Sequence, residues 1–263
     1  MVCSLQNILE VRDLKKSYRG MRQSAVKNIT FSVTKGEMVG VIGPSGAGKS
    51  TLLRCINRLV EPSAGHILIC GEEITGVPAS KVRQLRRRIG MVFQHYNLVG
   101  RLTVMQNVMH GRLGYMSTLE GVFGLYSEED KRRAVKILEQ TGLGEFLYHR
   151  ADKLSGGQKQ RVGVVRALMQ QPSILLCDEP IASLDPANAQ VIMELIKNIC
   201  KEREIACLVN LHQVDAAARY TDRVIGMNGG EVVYDGPTAN LSEQMIEQVY
   251  GKPMNQLMIK DIC

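Results

Sequence analysis

The stretch Glu37 to Ser50 reads EMVGVIGPSGAGKS, and it decides the fold. Glu37 to Gly43 is almost wholly apolar, the mark of a strand buried on both faces, as in a parallel sheet. It runs directly into GPSGAGKS, Gly43 to Ser50, which fits G-x-x-x-x-G-K-[ST]. Each part of that pattern has a physical use. Gly43, Gly46 and Gly48 permit backbone angles that other residues resist. The N–H groups from Gly43 through Pro44, Ser45, Gly46, Ala47 and Gly48 to Thr51 can then converge on phosphate oxygens, proline excepted because it has no N–H. A helix predicted to start near Lys49 adds its positive end. Lys49 can reach the β- and γ-phosphates of a nucleotide, and the Ser50 hydroxyl can ligate Mg²⁺.

Working outward toward the C-terminus, strands and helices alternate. SILLCD leads to a helix over Pro186 to Arg203, IACLVN to a helix over Gln213 to Tyr220, and RVIGM to a Gly229-Gly230 turn and strand EVVYD. That alternation predicts an α/β core with a mostly parallel sheet. Toward the N-terminus, Ile8 to Leu14 and Ala25 to Val33 alternate with period two. They are expected to pair as an antiparallel sheet with a strand over Ile67 to Ile74. Between the two halves, about Asn97 to Met169, apolar spacing turns helical. Ser127 with Asp130 three residues on predicts a capping box, and Gly142 predicts the end of that helix. The C-terminal stretch LSEQMIEQVYGKPMNQLMIKDIC predicts an amphipathic helix ending near Gly251.

The segment ILLCDEP, Ile174 to Pro180, is an apolar strand ending in two acids. Asp178 then sits at the C-terminal edge of the sheet, where ligands bind in open α/β folds. It is positioned to hold Mg²⁺ through water. Glu179, one residue on, can face a water beside the γ-phosphate and is the candidate general base. A second phosphate-suited stretch, LSGGQKQR, Leu154 to Arg161, places a serine and paired glycines at a helix start.

Bulk properties narrow the classes. The chain has 263 residues, 44% hydrophobic and 22% charged, which fits a globular protein with a sizeable core. No apolar run is long enough to span a bilayer, and MVCSLQNILEVRDL lacks a basic region followed by an apolar stretch, so no secretory signal is expected. The seven cysteines, Cys3, Cys55, Cys70, Cys177, Cys200, Cys207 and Cys263, are odd in number and form no CxxC pair. That argues for reduced core thiols over disulfides or zinc. The net charge is +7, and the densest basic run, KVRQLRRR from Lys81 to Arg88, is expected to be a solvated helix face. No interleaved aromatics accompany it, so nucleic acid is not expected as a partner.

Taken in order, GPSGAGKST, the glutamine of MVFQ, LSGGQKQR, ILLCDEP, SLDP and the histidine of VNLH resemble an ABC-type ATPase, the motor subunit of ATP-binding-cassette transporters. The resemblance spans almost the whole chain. It implies a P-loop NTPase (RecA-like) parallel-sheet core with an N-terminal antiparallel β subdomain and a helical insertion. It implies one ABC ATPase domain over 1–263, with the core at about 1–96 and 170–250, a helical subdomain at about 97–169 and a tail at 251–263. It implies ATP and Mg²⁺ as ligands, with Tyr18 stacking on adenine, Gln94 touching Mg²⁺ and sensing the γ-phosphate, and His212 contacting the γ-phosphate and holding the attacking water.

The same resemblance implies that LSGGQ serves another chain. In a head-to-tail homodimer, Ser155, Gly156, Gly157 and Gln158 of one copy cap the γ-phosphate held by the other, and Asp185 of SLDP reaches across. Integral membrane permease subunits and, indirectly, a periplasmic or lipid-anchored substrate-binding protein are the further partners implied, at the cytoplasmic face of the cell membrane. Ile181, Asn210, Gln213 and the segment HGRLGYMSTLEGVFGLYSEED depart from the commonest pattern and are similar to the phosphonate-import branch. An ATPase for another cargo (phosphite, a phosphate ester, an amino acid), or an ABC ATPase outside transport, stays open on these residues. A soluble P-loop kinase or a non-catalytic regulatory binder is disfavoured by LSGGQ and by Glu179 with His212.

Overall fold

In the computed structural model, which describes residues 7–20 and 23–253, two sheets share the work of burying apolar surface. The first is antiparallel, in the order β2-β1-β4-β5. β1 (Asn7–Lys16) and β2 (Val26–Thr34) alternate as predicted, with Leu9, Val11, Leu14, Ile29 and Val33 inward and fully or almost fully buried. The single strand expected over Ile67 to Ile74 is instead a hairpin. β4 (Ala64–Ile69) turns at Cys70-Gly71 into β5 (Glu72–Glu73), with Ile69 opposite Glu72. Both turn residues have positive φ, 50° and 76°, the two-residue geometry that matches the strand twist.

The second sheet has six strands in the order β10-β9-β3-β8-β7-β6. β3 (Met38–Ile42), β7 (Ile174–Asp178) and β8 (Ala206–Asn210) are buried at every residue. β6 (Ile89–Val92) and β9 (Arg223–Asn228) are parallel to their neighbours on the β3 side, and β10 (Glu231–Pro237) folds back antiparallel on β9 through Gly229-Gly230. The strand pleat divides the core in two. Val39, Val41, Leu176 and Leu208 face the antiparallel sheet and α1 (Lys49–Ile56), while Ile42, Leu175, Cys177 and Val209 face a layer of helices. Each fully buried Leu or Val there contributes about 1.5–3 kcal/mol over an exposed one.

Helix α2 (Ala79–Leu85) precedes β6. Between β6 and β7 lie α3 (Val104–Met109), α4 (Thr118–Phe123), α5 (Glu128–Gln140) and α6 (Gly156–Leu168). Helices α7 (Pro186–Glu202), α8 (Val214–Tyr220) and α9 (Glu243–Tyr250) follow. Three of the four helices between β6 and β7 start in full capping boxes: Thr103 with Gln106, Ser117 with Glu120, and Ser155 with Gln158. The box expected at Ser127 is only half made. Ser127 accepts from the Asp130 N–H, but the Asp130 carboxylate turns to Arg112 at 2.8 Å. A charge-assisted pair outcompetes a bond to a neutral N–H. Helix α5 ends as predicted at Gly142, φ 69°.

The basic run Lys81 to Arg88 is not a free solvated face. Arg86 donates to the carbonyls of Asn57 and Arg58, Lys81 and Arg88 both pair with Glu72, and Arg87 lies over the Tyr115 ring. Backbone carbonyls and one carboxylate absorb the charge that the sequence pattern assigned to water. Helix α9 ends at Gly251, φ 65°; most of the tail beyond it, 254–263, lies outside the described residues. Among the described residues no helix is long and apolar enough to cross a membrane.

Candidate functional site

The loop from β3 to α1 is held in place by its glycines. Gly43 has φ 146°, and a Cβ there would run into the Met227 carbonyl oxygen. Gly48 has φ 101°, and a Cβ there would run into the Ala25 carbonyl oxygen. Gly48 is also the N-cap of α1 and supplies no side-chain bond, so the first N–H groups of that helix keep no internal partner. Lys49 is only 4% exposed. Its Nζ donates to the carbonyls of Gly43 at 2.7 Å and Pro44 at 3.0 Å. Burial pushes its pKa below the usual lysine value, against the pull of the Glu179 and Asp178 carboxylates. The ammonium is thus parked on neutral acceptors, within the field of two acids.

The acids come from the end of β7. Asp178 pairs in register with Asn210 at the end of β8, and both are buried. Asp178 Oδ1 accepts from Ser50 Oγ at 2.7 Å and from Asn210 Nδ2 at 2.9 Å, while Oδ2 lies 3.6 Å from an Arg54 nitrogen. Ser50 and Asp178 set a hydroxyl and a carboxylate side by side. Such hard oxygens suit Mg²⁺, which takes its other ligands from water and phosphate. Among the described residues no cluster of three or more His, Cys, Asp and Glu could hold a metal unaided.

Glu179 leaves the strand with φ 51°, a left-handed angle uncommon for a residue with a side chain. Its Oε1 lies 2.7 Å from His212 Nε2. A carboxylate only accepts, so Nε2 carries the proton of that bond. Both side chains line a cavity of about 470 Å³ together with Tyr18 and with Ser45, Gly46, Ala47, Gly48, Lys49, Ser50 and Thr51. Its remaining walls are Gln23, Ser24, Ala25, Gly229 and Gly230. Nothing local in the sequence marks these residues as part of a site; Gly229-Gly230 carries the signature of a turn alone. Tyr18 is half-buried, with the Lys16 ammonium 5.0 Å from its ring centre.

The remaining sequence candidates stand elsewhere. Gln94 follows β6, the strand at the far edge of the sheet, and does not line the cavity. Ser155 accepts from the Gln158 N–H at 3.3 Å, and Gln158 Oε1 accepts from the Ser155 N–H at 2.8 Å. Ser155 and Gly156 are exposed, and Gly157 is buried close to Asn188. None of these four lines the cavity around Lys49. Asp185 caps α7 ahead of Pro186, accepting from the Asn188 side chain at 2.6 Å and its N–H at 3.0 Å. Those two bonds hold its carboxyl below the usual range. A neighbouring cavity of about 480 Å³ is lined by Glu179, Ile181, Leu184, Asn210 and His212, among others.

A protein-family model described as "ABC transporter" matches residues 26–182. The Phosphonates import ATP-binding protein PhnC 2 of Oceanobacillus iheyensis is 51% identical over 251 residues, 95% of this chain and 98% of that protein. Its namesake in Halalkalibacterium halodurans is 52% identical, over 92% of this chain and 99% of that protein. Among solved structures, a dimeric bacterial ABC transporter cassette is similar with a TM-score of 0.77 and 32% identity, covering 89% of this chain and all of that one. A dimeric post-hydrolysis cassette bound to ADP and phosphate is similar with a TM-score of 0.76 and 32% identity, at the same coverage.

Proposed function

This chain belongs to the ABC transporter family, and we propose that it is the ATP-hydrolysing motor subunit of a phosphonate importer. The observation that carries the catalytic part is the Glu179–His212 pair, joined at 2.7 Å on the wall of the cavity that residues 45–51 line. In this reading adenine stacks on Tyr18, and the phosphates take the open N–H groups of the loop and of α1. Lys49 exchanges the carbonyls of Gly43 and Pro44 for anionic oxygens, a stronger bond for a charged donor. Ser50, Asp178 and Gln94 are the residues that would hold Mg²⁺. When bound, that ion neutralises charge on the β- and γ-phosphates.

Glu179 takes the proton of the attacking water, and His212 keeps the carboxylate and the water aligned. Two copies pack head to tail, so that Ser155, Gly156, Gly157, Gln158 and Asp185 of each complete the ATP site of the other. Loss of the γ-phosphate removes the bridge between them, and the copies part. That motion acts on separate membrane subunits at the cytoplasmic face of the membrane, fed by a phosphonate-binding protein outside it. The cargo follows from the similarity to phosphonate import proteins. This chain's own cavity faces ATP.

The test is reconstitution with the membrane subunits and the binding protein in vesicles. Phosphonate-loaded binding protein should raise ATP hydrolysis, while the protein offered inorganic phosphate should not. Glu179→Gln should bind ATP, accumulate as a dimer on size exclusion, and lose about a hundredfold or more in turnover. Wild-type turnover in that variant would remove Glu179 as the base. Equal stimulation by inorganic phosphate would remove phosphonate as the specific cargo.

A further inference from the structure

Asn210 ends an otherwise apolar strand in the middle of the sheet and is completely buried. Its register partners are Asp178 on one side and Val41 on the other, so it stands between the acidic edge and the strand that feeds the phosphate loop. Its Nδ2 donates to Asp178 Oδ1 at 2.9 Å and to Ser50 Oγ at 3.2 Å. Ser50 Oγ in turn donates to that same carboxylate oxygen at 2.7 Å. The three side chains close a triangle. The carboxylate accepts only, so the amide nitrogen, not its oxygen, must face it. With the serine proton sent to Asp178 and one lone pair taken by Asn210, the remaining lone pair of Ser50 is left for one ligand.

The other end of the amide has no such use. Asn210 Oδ1 is buried without a hydrogen-bond partner among the described residues. An unpaired buried acceptor is destabilising, so a residue kept for packing alone would be apolar here, as the buried Leu211 is. We propose that Asn210 is a positioning residue of the divalent-cation site, its amide nitrogen setting the Asp178 carboxylate and the Ser50 hydroxyl in the arrangement that receives the ion. The assignment rests on the reading of Ser50 and Asp178 as residues that hold Mg²⁺. Groups that orient ligands from outside are worth about 10- to 100-fold in metal affinity.

Mn²⁺ binding to the ADP-bound chain, followed by electron paramagnetic resonance, is the measurement. ADP affinity in EDTA and the melting temperature are measured beside it. Asn210→Leu should weaken Mn²⁺ binding about tenfold or more and leave metal-free ADP affinity unchanged, with melting lowered only modestly because Ser50 still donates to Asp178. Asn210→Ala removes the same donor without adding volume and is read in the same way if the leucine variant does not fold. Mn²⁺ affinity equal to wild type overturns the assignment. So does a parallel loss of metal-free ADP affinity, which would make Asn210 a structural support of the whole loop. A wild-type chain that binds ADP but no Mn²⁺ would overturn the metal site itself and this assignment with it.

Discussion

Two glycine-bearing helix starts in this chain look alike in sequence and differ in what they leave open. At α1 the N-cap is Gly48, which offers no side chain, and the N–H groups behind it face a cavity with a lysine at its wall. At α6 the N-cap is Ser155, closed by a full capping box with Gln158. The first leaves the N–H groups of its helix start open beside Lys49, within one chain. The second has satisfied its own end groups and presents an exposed serine and glycine outward, away from the cavity around Lys49. On the proposed reading the two helix starts hold phosphate in two ways: one by withholding a cap, the other by lending a capped end to a second copy's ligand.

The sharpest way to break this comparison is Ser155→Arg. Hydrolysis should fall about a hundredfold or more, the scale for losing a donor to transition-state charge, with ATP affinity of the monomer unchanged. Calorimetric titration at low protein concentration checks it; lost binding would mean that the second start serves its own chain. Next in size is a pair of glycine substitutions followed by denaturant unfolding. Gly48→Ala combines φ 101° with a clash on the Ala25 carbonyl, and should cost about 3 kcal/mol or more along with ATP binding. Gly156→Ala meets nothing nearer than the Tyr96 hydroxyl at 3.2 Å, so it should cost about 1 kcal/mol or less and spare monomer ATP binding.

The smallest effect is electrostatic. The bonds from Asn188 hold Asp185 ionised below the ordinary carboxyl range. Its contribution to stability is therefore fully present above the unfolded carboxyl pKa. It fades as the pH falls through the lower folded value, because the unfolded state then binds the proton first. Exposure keeps the effect small. Asp185→Asn should flatten that part of the acid unfolding curve, and the Asn188 amide resonance should lose its titration. An unchanged curve would leave Asp185 without an energetic role as a cap.

Much of the site was legible because its parts are local. A strand, a glycine loop and a helix start within Glu37 to Ser50 follow from apolar run, turn chemistry and spacing. The same holds for the acids that end β7. His212 needed the order of motifs along the chain, since a histidine after an apolar strand has no local signature. The Cys70-Gly71 turn is not legible because the apolar run Ile67 to Cys70, followed soon by Ile74, passes for one strand. The partner of Asp130 is not legible locally, because capping rules see three residues ahead while Arg112 comes from another helix region. Asn210 was visible as a departure from the family pattern, and nothing near it in sequence said that it would meet Ser50 and Asp178.

The order of elements, the parallel core and the glycine loop from Gly43 to Ser50 were set by the linear pattern, because periodicity and backbone angles act over a few neighbouring residues. Tertiary structure alone decided which groups meet across the sheet: Ser50 and Asn210 donating to one oxygen of Asp178, Glu179 against His212, and the capped start of α6 kept apart from the cavity of α1. Strand register makes those choices. It joins residues distant in sequence at one edge, and no local propensity carries that information.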